Sequence, residues 1–326
     1  MRCLVTGATG FVGGHLCERL RREGHEVFAL ARSPKARRPL ESIGAQVLEG
    51  SLESSNVFAR VAQQIDVVFH LAAITKAVRI EEFTRINVDG TARLIEGLER
   101  GGFRGRFVYL GSLAAGGPAI DGRPRAETDA DAPVSEYGRT KLAGEKLVFE
   151  AGKRLNWTCV SLRPGAIYGP REHEILELLK PMAKPGIAVR FGGGVTVQLT
   201  HVTDVVEALI LALKADDGRR YIVTDEVPYA FDDVVRLAAE ALGHPVRIIG
   251  LPLGAASLLA GAFDIAGRVV GKPLSPLNRD KVNELRAGIW LGTSQLITRE
   301  LGWKTTVPFD RGLRETIAWY RENNQL

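Results

Sequence analysis

Cys3-Leu4-Val5-Thr6-Gly7-Ala8-Thr9-Gly10-Phe11-Val12-Gly13 is the stretch that decides the fold. Its first apolar residues read as a strand, glycines follow at spacing three and three, and 11–23 reads as an amphipathic helix ended by Gly24. Glycines between a strand and a helix permit a tight turn and close backbone approach to a pyrophosphate. The anion then meets free N–H groups and the positive end of the helix dipole. Outward from this turn, 27–31, 45–48, 66–71, 106–110 and 157–162 read as further strands separated by amphipathic segments. Six such strands predict an α/β fold, a doubly wound parallel sheet of the Rossmann type. A loop rich in Gly, Pro, Asp and Ala occupies 116–133.

After Pro164 the pattern loosens into punctuation by Pro181, Pro185, Gly192-Gly193-Gly194, Pro228, Pro252 and Pro273. The expected division is a dinucleotide-binding domain over 1–165, rejoined by 196–226 through a helical segment at 202–214 and a strand at 220–224. An interleaved substrate-binding domain takes 166–195 and 227–326. From Phe309 the tail reads as a helix with Leu313, Ile317 and Tyr320 on one face.

Composition narrows the class. The 326 residues are 45% hydrophobic and 25% charged, which places the chain among globular proteins and outside disordered and collagen-like ones. Three widely spaced cysteines, Cys3, Cys17 and Cys159, form neither a disulfide framework nor a metal-ligand pair, so inert thiols in a reduced, cytoplasmic compartment are expected, with no metal. Glycine at position 7 comes too early for the apolar segment of a signal peptide. The longest nearly apolar stretch, 251–263, contains Pro252, Gly254 and Gly261 and is shorter than the ~20 residues of a bilayer span. It reads as a substrate-domain helix or packing surface, with a membrane-facing patch as the alternative. The net charge of +5 is spread through the chain apart from Arg32, Lys35, Arg37 and Arg38, and no recognition motif accompanies it, so nucleic acid is not an expected partner.

The residues after the second strand bear on the choice of dinucleotide. An acid there binds a ribose 2′-hydroxyl, whereas a basic residue accommodates a 2′-phosphate. Here Leu30-Ala31-Arg32-Ser33 lacks the acid, Arg32 follows at once and Lys35 is in reach, which favours NADP over NAD. Farther on, Tyr137 and Lys141 stand four residues apart, hence on one face of a helix that Ser135 can cap. A nearby ammonium is expected to lower the phenol pKa from about 10, suiting Tyr137 to proton exchange with a carbonyl. Ser112, just past the strand at 106–110, stands at the carboxyl edge of the sheet and can hydrogen-bond the same oxygen.

These residues together resemble the short-chain dehydrogenase/reductase superfamily, and the length points to its extended branch, the NAD-dependent epimerase/dehydratase family. Further matches are DVVFHLAA at 66–73, NVDGT at 87–91, LRPGAIYGPR at 162–171, HVTDVV at 201–206 and ELGW at 300–303, so the resemblance covers nearly the whole chain. It implies a catalytic triad of Ser112, Tyr137 and Lys141, with Asn87 supporting a proton relay through water. Gly7, Gly10 and Gly13 would bind pyrophosphate within a turn that includes Thr9, Phe11 and Val12. Leu71, Ala72 and Ala73 would flank the nicotinamide ribose, and Pro164 and Ile167 the nicotinamide face. The family commonly has Asp where Ser51 stands, so the adenine contact at Ser51 and Leu52 is weakened or replaced. The resemblance also implies a homodimer built from the helix bearing Tyr137 and the one following Asn87.

Nucleotide-sugar members of this branch commonly carry Asn at what is here Ala166 and Arg at what is here Val197. Dehydratases follow the catalytic hydroxyl with two acids, where this chain has Leu113 and Ala114. A dianion without polar partners is poorly held in a closed site. With Thr75, the residues Leu113, Ala166, Phe191, Leu199 and segment 251–263 are therefore expected to line an apolar substrate pocket. The resemblance in character is to dihydroflavonol reductases and 3β-hydroxysteroid dehydrogenases. Hydride transfer between NADPH and a ketone, aldehyde or secondary alcohol is the leading expectation for this small-molecule enzyme. One rival is a nucleotide-sugar epimerase or dehydratase whose anion contacts come from Arg171, Arg190 or Arg279. The other is a non-catalytic dinucleotide-binding sensor or scaffold.

Overall fold

Seven parallel strands run in the order Arg219–Val223, Thr158–Pro164, Arg106–Leu110, Val67–His70, Arg2–Thr6, Glu26–Ala31, Gln46–Glu49. The computed structural model describes residues 1–326 apart from Pro273, Leu274, Pro276 and the side chain of Pro34; Pro273, one of the punctuating prolines, thus lies outside the described residues. The seventh strand is the returning one at the sheet edge, as its apolar run Tyr221-Ile222-Val223 suggests.

Unbroken apolar strands arise because both faces of the sheet are covered. Cys3 and Val5 point into a core with Leu16 and Leu20 of helix Phe11–Arg22 and Val205 and Leu209 of helix Val202–Leu211. Leu4 points into the opposite core with Phe58, Leu94, Leu98 and Val148. Cys3, Cys17 and Cys159 are buried free thiols, each pushed up to about 12 by burial and so unreactive.

Strand order reverses between Arg2–Thr6 and Val67–His70, which opens a crevice at their carboxyl ends. Over that crevice lies a smaller sheet in which Thr196–His201 pairs with Ala166–Tyr168, Pro228–Ala230 and Ile289–Trp290. Of the returning segment 196–226, the Val202–Leu211 helix and the Arg219–Val223 strand therefore join the main sheet, while Thr196–His201 stays with the smaller one. A separate core around Tyr168, Leu176, Leu199 and Phe309 supports this upper layer. A two-stranded sheet of Ile187–Phe191 and Arg247–Leu251 leads into helix Leu253–Val270. That helix outruns the apolar stretch at 251–263, because Asp264 and Arg268 are accommodated within it and Gly271, at φ 76°, ends it.

Candidate active site

After the first strand the chain turns at Gly7 with φ 74°, a left-handed conformation that favours glycine. A Cβ there would lie 2.7 Å from the Ala72 backbone nitrogen, and a Cβ at Gly13 would lie 2.1 Å from the Gly7 oxygen. Helix Phe11–Arg22 begins at Gly10, so no side chain takes its first-turn N–H groups. A cradle that only glycine backbone fits, facing unclaimed N–H donors, matches the pyrophosphate of a dinucleotide.

From this turn a cleft of about 530 Å³ follows the carboxyl ends of the strands toward the smaller sheet. It brings together Gly7, Gly10, Phe11, Val12, Gly13, Leu71, Ala73, Thr75, Ser112, Leu113, Tyr137, Lys141, Pro164, Ala166 and Ile167. Thr9 is exposed on the turn, and Ala72 lies behind it against Gly7. Arg32 and Lys35 are exposed beyond the end of strand Glu26–Ala31, whereas Arg37 is paired with Glu41 and Glu49. The Ser51 hydroxyl accepts the Glu53 N–H at 3.2 Å, and Leu52 packs in the core.

Two of the expected substrate contacts lie elsewhere. Leu199 is two residues beyond Val197, which does line the cleft, and is sealed into the upper core. Phe191 packs on Ala256 and Ala260, and no residue of segment 251–263 reaches the cleft.

Helix Glu136–Leu155 carries Tyr137 and Lys141, and its Ser135 cap accepts the Gly138 N–H at 3.1 Å. The Lys141 ammonium is buried 4.2 Å above the Tyr109 ring centre. Burial pushes Lys141 down to about 7, with Glu145 pulling the other way. Tyr137 is pushed up to about 12, chiefly by burial; its hydrogen bond with Ser112 opposes this, and Glu284 and Glu174 add to it. That is the reverse of the lowering expected from Lys141, because desolvation of the buried phenol outweighs the charges and the hydrogen bond around it.

Asn87 lies in a single π-type turn, Thr84–Asp89, and is buried. Its Oδ1 accepts the Ile74 N–H at 2.8 Å, and its Nδ2 donates to the Ile74 carbonyl and the Thr140 hydroxyl, both at 3.1 Å. The side chain thereby ties the loop after strand Val67–His70 to the Tyr137 helix. Behind the glycine turn, His70 bridges the Thr6 and Thr91 hydroxyls at 2.6 and 2.8 Å, and burial holds it down at about 3.

Helix Arg279–Ala287 supplies residues that sequence reasoning missed. The Asp280 carboxylate accepts the N–H groups of Glu136 at 2.6 Å and Tyr137 at 3.1 Å. The Ser135 hydroxyl donates to Glu284 at 2.9 Å, and Lys281 pairs with Glu284 at 2.8 Å. Lys76 and Glu174 form a second pair at 3.2 Å on the cleft wall. Charges at 280, 281 and 284 read locally as a solvated helix face, and only the tertiary fold brings them to the helix that bears Tyr137.

A family model described as the NAD dependent epimerase/dehydratase family matches residues 3–224. The chain belongs to that family. Among its relatives, a 4-hydroxy-2-methyl-3-oxo-4-farnesyl-3,4-dihydroquinoline-1-oxide ketoreductase of Stigmatella aurantiaca is 30% identical over 96% of this chain and 95% of its own. A ceramide reductase of Caulobacter vibrioides is 28% identical over 97% and 93%. The solved structure of MoeE5 in complex with UDP-glucuronic acid and NAD is 27% identical, with a TM-score of 0.78 over 99% of this chain and 100% of the other. In this family the cleft belongs to a nicotinamide-dependent enzyme of the extended short-chain dehydrogenase/reductase kind.

Proposed function

We propose that the protein transfers a hydride between NADP and a ketone, aldehyde or secondary alcohol on an apolar molecule. The observation that carries this reading is the shared cleft, in which Ser112, Tyr137 and Lys141 stand between the glycine turn and a wall of Leu113, Ala166, Val197 and Trp290. Ala166 and Val197 face the cleft where a nucleotide sugar would need polar partners. Arg171, Arg190 and Arg279, the cations assigned to that rival, are engaged by Glu18 at 2.8 Å, Asp232 at 2.6 Å and Asp264 at 3.9 Å. The two reductases among the relatives act, by name, on a farnesyl-bearing quinoline oxide and on ceramide, which agrees with an apolar substrate.

When bound, the nicotinamide cofactor supplies or accepts the hydride. Ser112 orients the carbonyl oxygen. Tyr137, held protonated by its burial, gives the proton that neutralises the developing alkoxide. Lys141 lies one helical turn away and offers its buried Nζ as a hydrogen-bond donor on the cofactor side. Asn87 acts through Thr140 and Ile74 by holding the cleft wall in register. Exposed Arg32 and Lys35, with no acid at the strand end, support the phosphorylated cofactor. The same reading takes residues 166–195 and 227–326, joined by strand Thr196–His201, as the substrate side, places the enzyme in the cytoplasm and pairs it as a homodimer through helices Gly90–Arg100 and Glu136–Leu155. Light scattering tests the pairing, and a monomer removes it.

A screen of NADPH oxidation against carbonyl compounds graded by size and polarity tests the substrate class. Tyr137→Phe should lower turnover by about 10³-fold or more while leaving cofactor binding nearly unchanged. Retained activity in that variant overturns the assignment, and equal NADPH and NADH affinities, unmoved by Arg32→Ala, overturn the cofactor preference.

A further inference from the structure

Helix Leu253–Val270 is built inside out. Its buried positions are the small residues Ala256, Ala260, Gly261 and Gly267, while Leu258, Ile265 and Val269 are 78%, 62% and 85% exposed. Leu258, Ala262, Ile265 and Val269 recur at spacings of four, three and four, so the exposed apolar residues share one face, and Leu259 and Phe263 widen it. Among the described residues it is the one helix long and apolar enough to cross a membrane, and 22% of it is buried. Its inner face, however, is docked on Phe191 and Val282, and its chain enters from the Arg247–Leu251 strand. A helix held along one side lies flat on an interface.

Charge indicates which interface. Arg268 and Lys272 are exposed at the C-terminal end of this helix, and Arg79 and Arg279 share with Arg268 a surface cavity of about 630 Å³. Arg268, Lys272 and Arg79 have no carboxylate partner among the described residues. Two acids of the cavity are turned to other duties: Asp264 accepts the Arg279 N–H at 3.3 Å, and Asp280 caps the Tyr137 helix. Glu81 is the remaining one. Basic side chains beside an apolar face match the headgroups and acyl boundary of an anionic bilayer.

We propose that helix Leu253–Val270 seats the protein on the surface of a membrane containing anionic lipid. Helix Arg279–Ala287 packs on its inner face and lines the cleft, so the seated helix is one helix removed from the substrate side. The surface does not depend on which carbonyl compound is reduced.

The test is flotation of the full chain with vesicles of phosphatidylcholine mixed with phosphatidylglycerol, and with vesicles of phosphatidylcholine alone. Binding to the mixed vesicles, falling steeply with salt, is expected. Leu258→Glu combined with Val269→Glu should weaken it at least about tenfold, and Arg268→Glu combined with Lys272→Glu should do the same while leaving the apolar face intact. Both variants alter exposed side chains outside the cleft, so an unchanged circular dichroism melt and unchanged nicotinamide cofactor binding confirm that they fold. Absence of vesicle binding, equal binding to neutral vesicles, or wild-type binding by the double variants overturns the proposal. A dimer that Leu258→Glu with Val269→Glu dissolves, without vesicle binding, overturns it in favour of a contact between copies of this chain.

Discussion

The two walls of the cleft are made on opposite principles. The glycine wall is backbone: glycines at 7 and 13 approach so closely that any side chain would collide with main-chain atoms, and buried His70 and Lys141 support it. The opposite wall is side chain: apolar residues from the smaller sheet are rimmed by the Lys281–Glu284 and Lys76–Glu174 pairs and carried on an upper layer that ends in an exposed apolar helix. Backbone sites tolerate no variation, whereas side-chain walls can be respecified without rebuilding the sheet.

Substitutions of decreasing severity probe that contrast. Gly13→Val should weaken nicotinamide cofactor binding by more than about a hundredfold, read by fluorescence titration, because the helix start must move away from the Gly7 carbonyl. If affinity is retained, the backbone wall is not the cradle it resembles. Next, Ser112→Ala should cost about 10²-fold in kcat and leave cofactor affinity alone, since its hydroxyl acts on the reacting oxygen. On the opposite wall, Val197→Arg should reduce kcat/KM for an apolar ketone by about tenfold through misfit in the pocket. Comparable turnover would show that the substrate does not reach the smaller sheet.

Stability against pH separates the walls in another way. Lys141 sits at about 7 in the folded chain against an ordinary 10.5. Between those values the unfolded chain binds a proton that the folded chain does not, so the wild type should gain stability as pH rises, by up to roughly 1.4 kcal/mol per unit. Below about 7 both states are protonated and the cost of burying the ammonium is felt in full. Lys141→Met should flatten the rise in denaturant midpoint over that window, and an unchanged slope would mean that Lys141 stays charged in the fold. The smallest effect is expected at Leu258→Asn, within about 0.5 kcal/mol in urea, because an exposed side chain leaves no cavity when trimmed.

Legibility follows the same division. Strand Arg106–Leu110 and the start of helix Phe11–Arg22 stand where local pattern puts them, because buried parallel strands and helices that open on a glycine turn are written in short-range composition. Leu199 is as apolar as Leu113, yet one is sealed in the upper core and the other lines the cleft. Hydrophobicity states that a residue avoids water without stating what it touches. Helix Leu253–Val270 shows the converse, since interruption by Asp264 and Arg268 hides its length while its large side chains remain outside.

By itself the sequence determined the Rossmann sheet, the glycine turn, the Tyr137 and Lys141 pair and the family, because each rests on spacing along one strand, turn or helix. Only the tertiary structure decided that Asp280 and Glu284 clasp the Tyr137 helix, that Tyr137 is raised rather than lowered, and that an apolar helix faces outward. These depend on contacts between residues more than a hundred positions apart and on burial, and neither quantity is carried by any local stretch of the chain.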